Sequence, residues 1–221
     1  MAAPALVGFI FDLDGVVVDS NRLHVKSWQA VADRHGYPLA ESAHIGKCGL
    51  RTTAVIRDLL QWPVTDAEAQ RIGWEKEELY RDWIRADGIR AIPGVLEFVR
   101  QTRALGIPCA VGSSAPRDNV AVCLQALGLT HAFQAAVSGE DVTRGKPAPD
   151  IFLAAAAAIT TRPEDCVVFE DAPAGVAAAQ AAGMRVVALT TSHPRDDLAG
   201  ADRIVQDFTE LTPQRLCGES G

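Results

Sequence analysis

No two of the five cysteines, Cys48, Cys109, Cys123, Cys166 and Cys217, stand in a CxxC spacing, and their number is odd. That pattern excludes a disulfide framework and a thiolate zinc site, and it leaves Cys109 and Cys166, inside apolar runs, as small core residues. The histidines, His24, His35, His44, His131 and His193, supply neither HxH nor HExxH, so a transition-metal centre is not expected. Positive charge is also short. Lys and Arg number 21 against 28 Asp and Glu, a formal net charge of −7 with no local basic patch. Nucleic-acid phosphates would be repelled, so no nucleic-acid partner is expected. The longest charge-free apolar stretch falls far short of a bilayer span, and Met1 to Ile10 lacks the basic flank of a signal peptide; a cytoplasmic protein with no membrane partner is expected, as a monomer. Nor is there a signature of disorder. With 48% hydrophobic and 22% charged residues, the 221-residue chain has ordinary globular composition and length for one large or two modest domains.

What is present centres on Phe11-Asp12-Leu13-Asp14-Gly15-Val16-Val17-Val18-Asp19-Ser20. The apolar run Ala5 to Phe11 before it reads as a buried parallel strand, which puts Asp12 at the carboxyl end, where open α/β sheets hold their ligands. Two acids one residue apart repel each other, so a cation is expected between them. The pair reads either as a polar turn with Gly15 supplying a permissive backbone, or as a carboxylate nucleophile, Asp12, with an acid/base, Asp14. An EF-hand is excluded, since its glycine would fall at Val17.

From Ser20 to about Asp87 the pattern is helical. Asn21 to His35 carries Leu23, Trp28 and Val31 at helical spacing and stops at Gly36-Tyr37-Pro38; Thr52 to Leu60 and Asp66 to Ile84 are two further amphipathic segments. So much helix exceeds an ordinary crossover and predicts an inserted helical domain. After Ile92-Pro93-Gly94, strands (Ile107 to Val111, Ala135 to Ser138, Cys166 to Phe169, Arg185 to Leu189, and Arg203 to Val205) alternate with helices (Val95 to Leu105, Pro116 to Leu127, Asp150 to Ile159, and Pro173 to Ala182). The expected fold is a doubly wound parallel-sheet α/β core of residues 1–19 and 88–221 with an all-α insertion, 20–87, joined through Asp19-Ser20 and Asp87-Pro93.

Three later strand ends also carry polar residues. Ser113 and Ser114 follow the second core strand. Ser113 is placed for a phosphate oxygen, while Ser114 reads better as a cap of the helix beginning at Pro116. In Arg144-Gly145-Lys146-Pro147-Ala148-Pro149-Asp150, the lysine is either solvated or, with Gly145 and Pro147 shaping the backbone, a positioned cation. Glu170-Asp171 either caps the helix at Pro173 or, with Asp12, a carbonyl at Asp14 and waters, forms an oxygen shell for Mg²⁺. All four together describe phosphoryl transfer through an aspartyl-phosphate.

DLDGV at Asp12 to Val16, Ser113, GKPAPD at Gly145 to Asp150 and FED at Phe169 to Asp171 resemble the four motifs of the haloacid dehalogenase superfamily. The helical insertion, entered through Asp19-Ser20 and Leu23-His24 to Trp28, is similar to the cap of its β-phosphoglucomutase-like subgroup. The resemblance implies Asp12 as nucleophile and metal ligand, Asp14 as acid/base, Ser113 and Lys146 as phosphate anchors with Ser114 beside them, and Glu170 with Asp171 as the remaining Mg²⁺ carboxylates. It also implies a phosphate ester as substrate, because superfamily dehalogenases lack the second acid. Substrate choice is expected in the cap, at His24, Trp28, Arg51 and Lys76, although packing between cap and core accounts equally for His24 and Trp28. Arg51 resembles a cap-loop arginine that reaches a substrate's phosphate. Arg117 is placed near the phosphate or at a solvated helix start. A phosphatase acting on a small phosphorylated metabolite, such as a hexose phosphate, is expected ahead of a β-phosphoglucomutase; a non-catalytic binding protein would need neither Asp12 nor Asp14.

Overall fold

The computed structural model describes residues 7–39, 45 and 50–218. His44, Cys48 and Gly49 lie outside them, as do Ala5 and Leu6 at the head of the expected first strand.

β1 (Gly8–Phe11) is buried along its whole length, and strand alternation divides its side chains between two faces. Phe9 and Phe11 enter one core cluster with Phe98, Phe169 and Phe208, where the rings of Phe11 and Phe169 stack at 4.7 Å. Ile10 enters a second, with Phe152, Val168 and Val186. Each such fully buried side chain contributes about 1.5–3 kcal/mol. A strand buried on both faces is a central strand, as its continuous apolar sequence requires.

After β1 come β2 (Val18–Asp19) and three helical segments: α1 (Asn21–His35), α2 (Thr52–Ala54) and α3 (Asp66–Asp87). The α1 helix ends at Gly36, whose φ of 70° suits a residue without Cβ. The α2 turn runs on as a wider π-type coil over Val55–Leu59, a departure from the expected plain helix. A Thr65/Glu68 capping box starts α3. Trp28, Val31, Val55, Ile56, Trp62 and Ile72 form a cluster of the helical cap's own. Farther along α3, Tyr80 and Ile84 pack instead with Val16, Val17 and Val18 of the core.

The remainder is β3 (Arg90–Ala91), α4 (Val95–Ala104), β4 (Cys109–Gly112), α5 (Arg117–Ala126), β5 (Ala135–Val137), α6 (Asp150–Ala158), β6 (Cys166–Glu170), α7 (Pro173–Ala181), β7 (Arg185–Leu189), β8 (Arg203–Val205) and α8 (Pro213–Gly218). Six strands make one parallel sheet in the order β5-β4-β1-β6-β7-β8. The fold is the doubly wound α/β core with a helical cap. Three further features depart from expectation. The two connections to the cap pair as an antiparallel ribbon, Val18 with Ala91 and Asp19 with Arg90, on strands too short to show alternation. Glu170 ends β6 rather than beginning the loop. A short helix, α8, follows the last strand, where none was expected. Cys109 and Cys166 are buried free thiols, pushed by burial up to about 11 and about 12 respectively. Among the described residues no helix is long and apolar enough to cross a membrane.

Candidate active site

Sheet register brings the acids together. Phe11 lies level with Val111 of β4 on one side and Phe169 of β6 on the other, so the next residues, Asp12, Gly112 and Glu170, share the carboxyl edge of the three central strands. The Asp12 N–H donates to the Phe169 carbonyl at 3.0 Å, which holds Asp12 in that register beyond the strand proper.

Lys146 reaches this edge from the loop between β5 and α6. Its Nζ donates to Asp12 Oδ1 at 2.8 Å and to Glu170 Oε1 at 2.6 Å, and all three side chains are buried. The cation expected between Asp12 and Asp14 is therefore shared between Asp12 and Glu170. Glu170 Oε2 accepts the backbone N–H groups of Asp171 at 2.7 Å and Ala172 at 2.8 Å. Both Glu170 oxygens are thus already bonded. Burial, with Glu170 nearby, pushes Asp12 up to about 7 even though Lys146 opposes the shift. Burial with Glu170 and Asp12 drives Asp171 well above the carboxylate range. Burial works against the Lys146 ammonium, but Asp12 and Glu170 outweigh it and hold the group above its ordinary value.

Oxygens of Asp12, Glu170 and Asp171 lie within 4.8 Å of one another. Once ionised, three buried carboxylates against one ammonium leave net negative charge, and an all-oxygen donor set suits a hard divalent cation such as Mg²⁺. Glu170 gives one lone pair to Lys146 and others to two backbone N–H groups and Asp12 gives one to Lys146, so each of the three carboxylates keeps oxygen lone pairs that could face a cation. Gly15, at φ +76°, makes room for the group: a Cβ there would meet Asp171 Oδ2 at 1.8 Å. Gly175 does the same for Glu170, since its Cβ would fall 1.7 Å from Oε1. Gly175→Ala is accordingly expected to displace Glu170 and loosen Lys146, at about 1–3 kcal/mol of stability and with a clear drop in turnover. Thermal melts beside initial rates check this; a variant with native rates would show that Glu170 need not hold its place.

Asp14 faces the cap. Its Oδ1 lies 3.0 Å from His24 Nε2, and His24 Nδ1 lies 2.8 Å from Lys76 Nζ. With the ammonium donating to Nδ1, the ring's own proton sits on Nε2 and points at Asp14. Burial pushes the Asp14 carboxyl up, but His24 beside it and its hydrogen bond outweigh that and bring it down to about 2. The Tyr80 ring stacks on His24 at 4.3 Å. Lys76 also pairs with Glu77 at 3.1 Å, Glu77 Oε2 accepts from Asn119 of α5 at 2.6 Å, and Asn119 Oδ1 accepts from Arg81 at 2.9 Å. This buried polar chain joins cap to core. Of its members the sequence reading singled out only His24, Lys76 and Asp14. The signal for the others was available, because Lys76, Glu77 and Arg81 interrupt the buried stripe of α3 where apolar residues belong.

An inner cavity of about 60 Å³ opens between cap and core, lined by Asp12, Asp14, Ser113, His24, Trp28 and Lys76 among others. Ser113 Oγ accepts the Ala115 N–H at 3.1 Å, which leaves its hydroxyl proton to donate. Ser114 lines the cavity too. It does not cap α5 as expected: Pro116 is the N-cap residue, and no side chain bonds there. Trp28 is buried in the cap cluster and also faces the cavity. Arg51 is turned elsewhere, donating to the carbonyls of Val142 at 2.7 Å and Thr143 at 3.2 Å. It ties the cap to the loop that carries Lys146, where the sequence led to a contact with substrate phosphate. Arg117 is an exposed helix start paired with Asp141.

Two carboxylates, Asp12 and Asp14, and the positioned Lys146 ammonium thus meet on the carboxyl edge of a parallel sheet, facing a cavity under the cap. The model of haloacid dehalogenase-like hydrolases matches residues 7–183, and the chain belongs to that family. Within it the chain falls in the β-phosphoglucomutase-like subgroup. It is 32% identical over 212 residues to validoxylamine A 7'-phosphate phosphatase of Streptomyces hygroscopicus subsp. limoneus, covering 91% of this chain and 94% of that one. It is 34% identical to fructose-1-phosphate phosphatase of Escherichia coli K12, over 81% of this chain and 94% of the other. Among solved structures, β-phosphoglucomutase of Clostridium difficile matches with a TM-score of 0.83 at 25% identity, covering 96% and 95% of the two chains.

Proposed function

We propose that this enzyme is an Mg²⁺-dependent phosphatase that hydrolyses a small sugar phosphate through an aspartyl-phosphate at Asp12. The observation that carries the proposal is the Asp12 carboxylate, held by Lys146 at the end of β1 and opening with Asp14 and Ser113 onto the inner cavity. Asp12 attacks phosphorus and the ester P–O bond breaks, while Asp14 gives a proton to the leaving oxygen. Water then attacks the phosphoaspartate, Asp14 takes its proton, and inorganic phosphate departs. As held by His24, Asp14 is ionised, the form the second step requires; for the first it needs a proton, which His24 Nε2 passes as Lys76 Nζ hands one to Nδ1, so that the ring stays neutral and the charge is lost at Lys76. Ser113 Oγ and the third Nζ proton of Lys146 are the donors for phosphate oxygens. Bound at Asp12 and Asp171, Mg²⁺ supplies positive charge that offsets repulsion between phosphate and carboxylate.

The phosphatases of S. hygroscopicus and E. coli support hydrolysis. The likeness to the C. difficile mutase supports a second outcome of the same chemistry, in which a sugar hydroxyl rather than water takes the phosphoryl group. Phosphate release from a panel of sugar phosphates with Mg²⁺, with β-glucose 1-phosphate plus a trace of the 1,6-bisphosphate followed for isomerisation, separates the two. Rapid release from one compound establishes the phosphatase. Glucose 6-phosphate without free phosphate replaces it with the mutase.

The metal assignment has a readout apart from activity. Asp12 is raised from 3.8 to about 7, so between those values the folded chain binds more protons than the unfolded one, and stability falls as pH rises. Without metal, the melting temperature is expected to be lower near pH 8 than near pH 5, and Mg²⁺ should restore a few degrees near pH 8 and little near pH 5. Equal Mg²⁺ stabilisation at both pH values would count against Asp12 as its ligand.

A further inference from the structure

The inner cavity is too small for the substrate. At about 60 Å³ it falls far below the roughly 300–1,000 Å³ of small-molecule sites, and it accommodates little beyond a phosphoryl group. A second cleft of about 430 Å³ adjoins it, sharing Thr52, Glu77, Ser114 and Pro116 as common walls. A leaving group carried by a phosphate on Asp12 can extend there.

The cleft has a distinct chemistry. On α3, Gln70 and Trp74 stand four residues apart and Arg81 seven beyond Trp74, a single stripe along the helix. Trp74 is 66% exposed, whereas Trp28 and Trp62 are buried. Asp118 and Glu140 of the core and Arg51 of the cap line the cleft as well. The guanidiniums are largely spoken for: Arg81 bonds Asn119 and Glu78, and Arg51 bonds two carbonyls. Only the buried Nε of each has no partner among the described residues. Such a wall offers one flat apolar surface, the Gln70 amide and several acceptors, and the two core carboxylates, unpaired among the described residues, disfavour a second anionic group. A neutral polyhydroxylated ring fits it, with its C–H face on the indole and its hydroxyls on the carboxylates and the Gln70 amide.

We infer that the preferred substrate is the monophosphate of a two-ring polyol, a disaccharide or a close analogue, with the ring distal to the phosphate seated on Trp74. This rests on the phosphatase assignment above. Trp74 is then a specificity residue, remote from the reacting atoms, and its contribution falls on binding.

The test compares trehalose 6-phosphate and maltose 1-phosphate with glucose 6-phosphate and glucose 1-phosphate, using phosphate release by the full chain with Mg²⁺. At least one disaccharide phosphate is expected to exceed its monosaccharide counterpart about tenfold in kcat/KM. Trp74→Ala should lose about tenfold on that disaccharide phosphate, mainly through KM, and stay within about twofold on the monosaccharide, with Trp74→Phe in between. Being exposed, position 74 leaves folding intact, which a thermal melt checks. Equal loss on both classes, or monosaccharide phosphates preferred with Trp74→Ala silent, overturns the two-ring substrate while leaving the phosphatase standing. No phosphate from any of the four esters or from the wider sugar-phosphate panel fails the phosphatase itself and the inference with it.

Discussion

Asp12→Asn is expected to lower phosphate release by at least about a thousandfold, with the protein still folded. The substitution removes the nucleophilic oxygen charge and almost no volume, so packing at the end of β1 is undisturbed. It also removes one of three buried carboxylates that lie within 4.8 Å of each other. Without metal near pH 8, where the Asp12 carboxyl raised to about 7 is ionised, the variant is therefore expected to melt no lower than the parent. Initial rates and melts on the same preparations give both numbers. Parent-like turnover would refute covalent catalysis at Asp12; a large drop in melting temperature would mean that the Asp12–Lys146 pair stabilises the fold more than burial and repulsion oppose it.

Lys146→Met should have the opposite balance, losing activity and stability together. Lys146 is the cation for two side chains, Asp12 and Glu170, and its removal leaves their charges buried without compensation, at about 3–5 kcal/mol. The loss is expected to be largest near pH 8 and to shrink as pH falls, because Asp12 and Asp171 have raised folded-state values and take up protons first. Added Mg²⁺ should recover part of the stability near pH 8 and little of the activity, since the ion offsets charge but does not replace the Nζ donor to the phosphoryl group. Denaturant unfolding at two pH values, with and without Mg²⁺, checks each part. A variant as stable as the parent near pH 8 would remove Lys146 as the counter-charge of the site.

Both predictions concern residues visible before any coordinates. The run into Phe11 had to be a strand because it is continuously apolar, and Asp12 had to sit at its end because the apolar pattern stops there. Glycine and proline punctuation marked the four expected helices of the core to within one residue at each end. The serine after β4 and the acids after Phe169 were legible in the same way, as polar residues at the close of buried strands. Less legible were features in which burial is decided by a partner. The Val18–Asp19 and Arg90–Ala91 ribbon is too short to carry a period of two. The polar stripe of α3 reads as amphipathic helix until its charged members are seen to be paired across the cleft.

Local patterning thus determined by itself that the chain builds a parallel α/β core with a helical insertion, and which strand ends bear reactive groups, because strand and helix periodicities are properties of neighbouring residues. What those groups do to each other was decided only in three dimensions. Lys146 meets Asp12 across 134 positions of chain. Glu170 turns both oxygens to Lys146 and the backbone, and Asp171 joins it and Asp12 in one cluster of carboxylates. Arg51 ties cap to core, and His24 holds Asp14 ionised. Each depends on distances of about 3 Å between elements remote in sequence, and such distances follow from sheet register and helix packing, which no run of adjacent residues encodes.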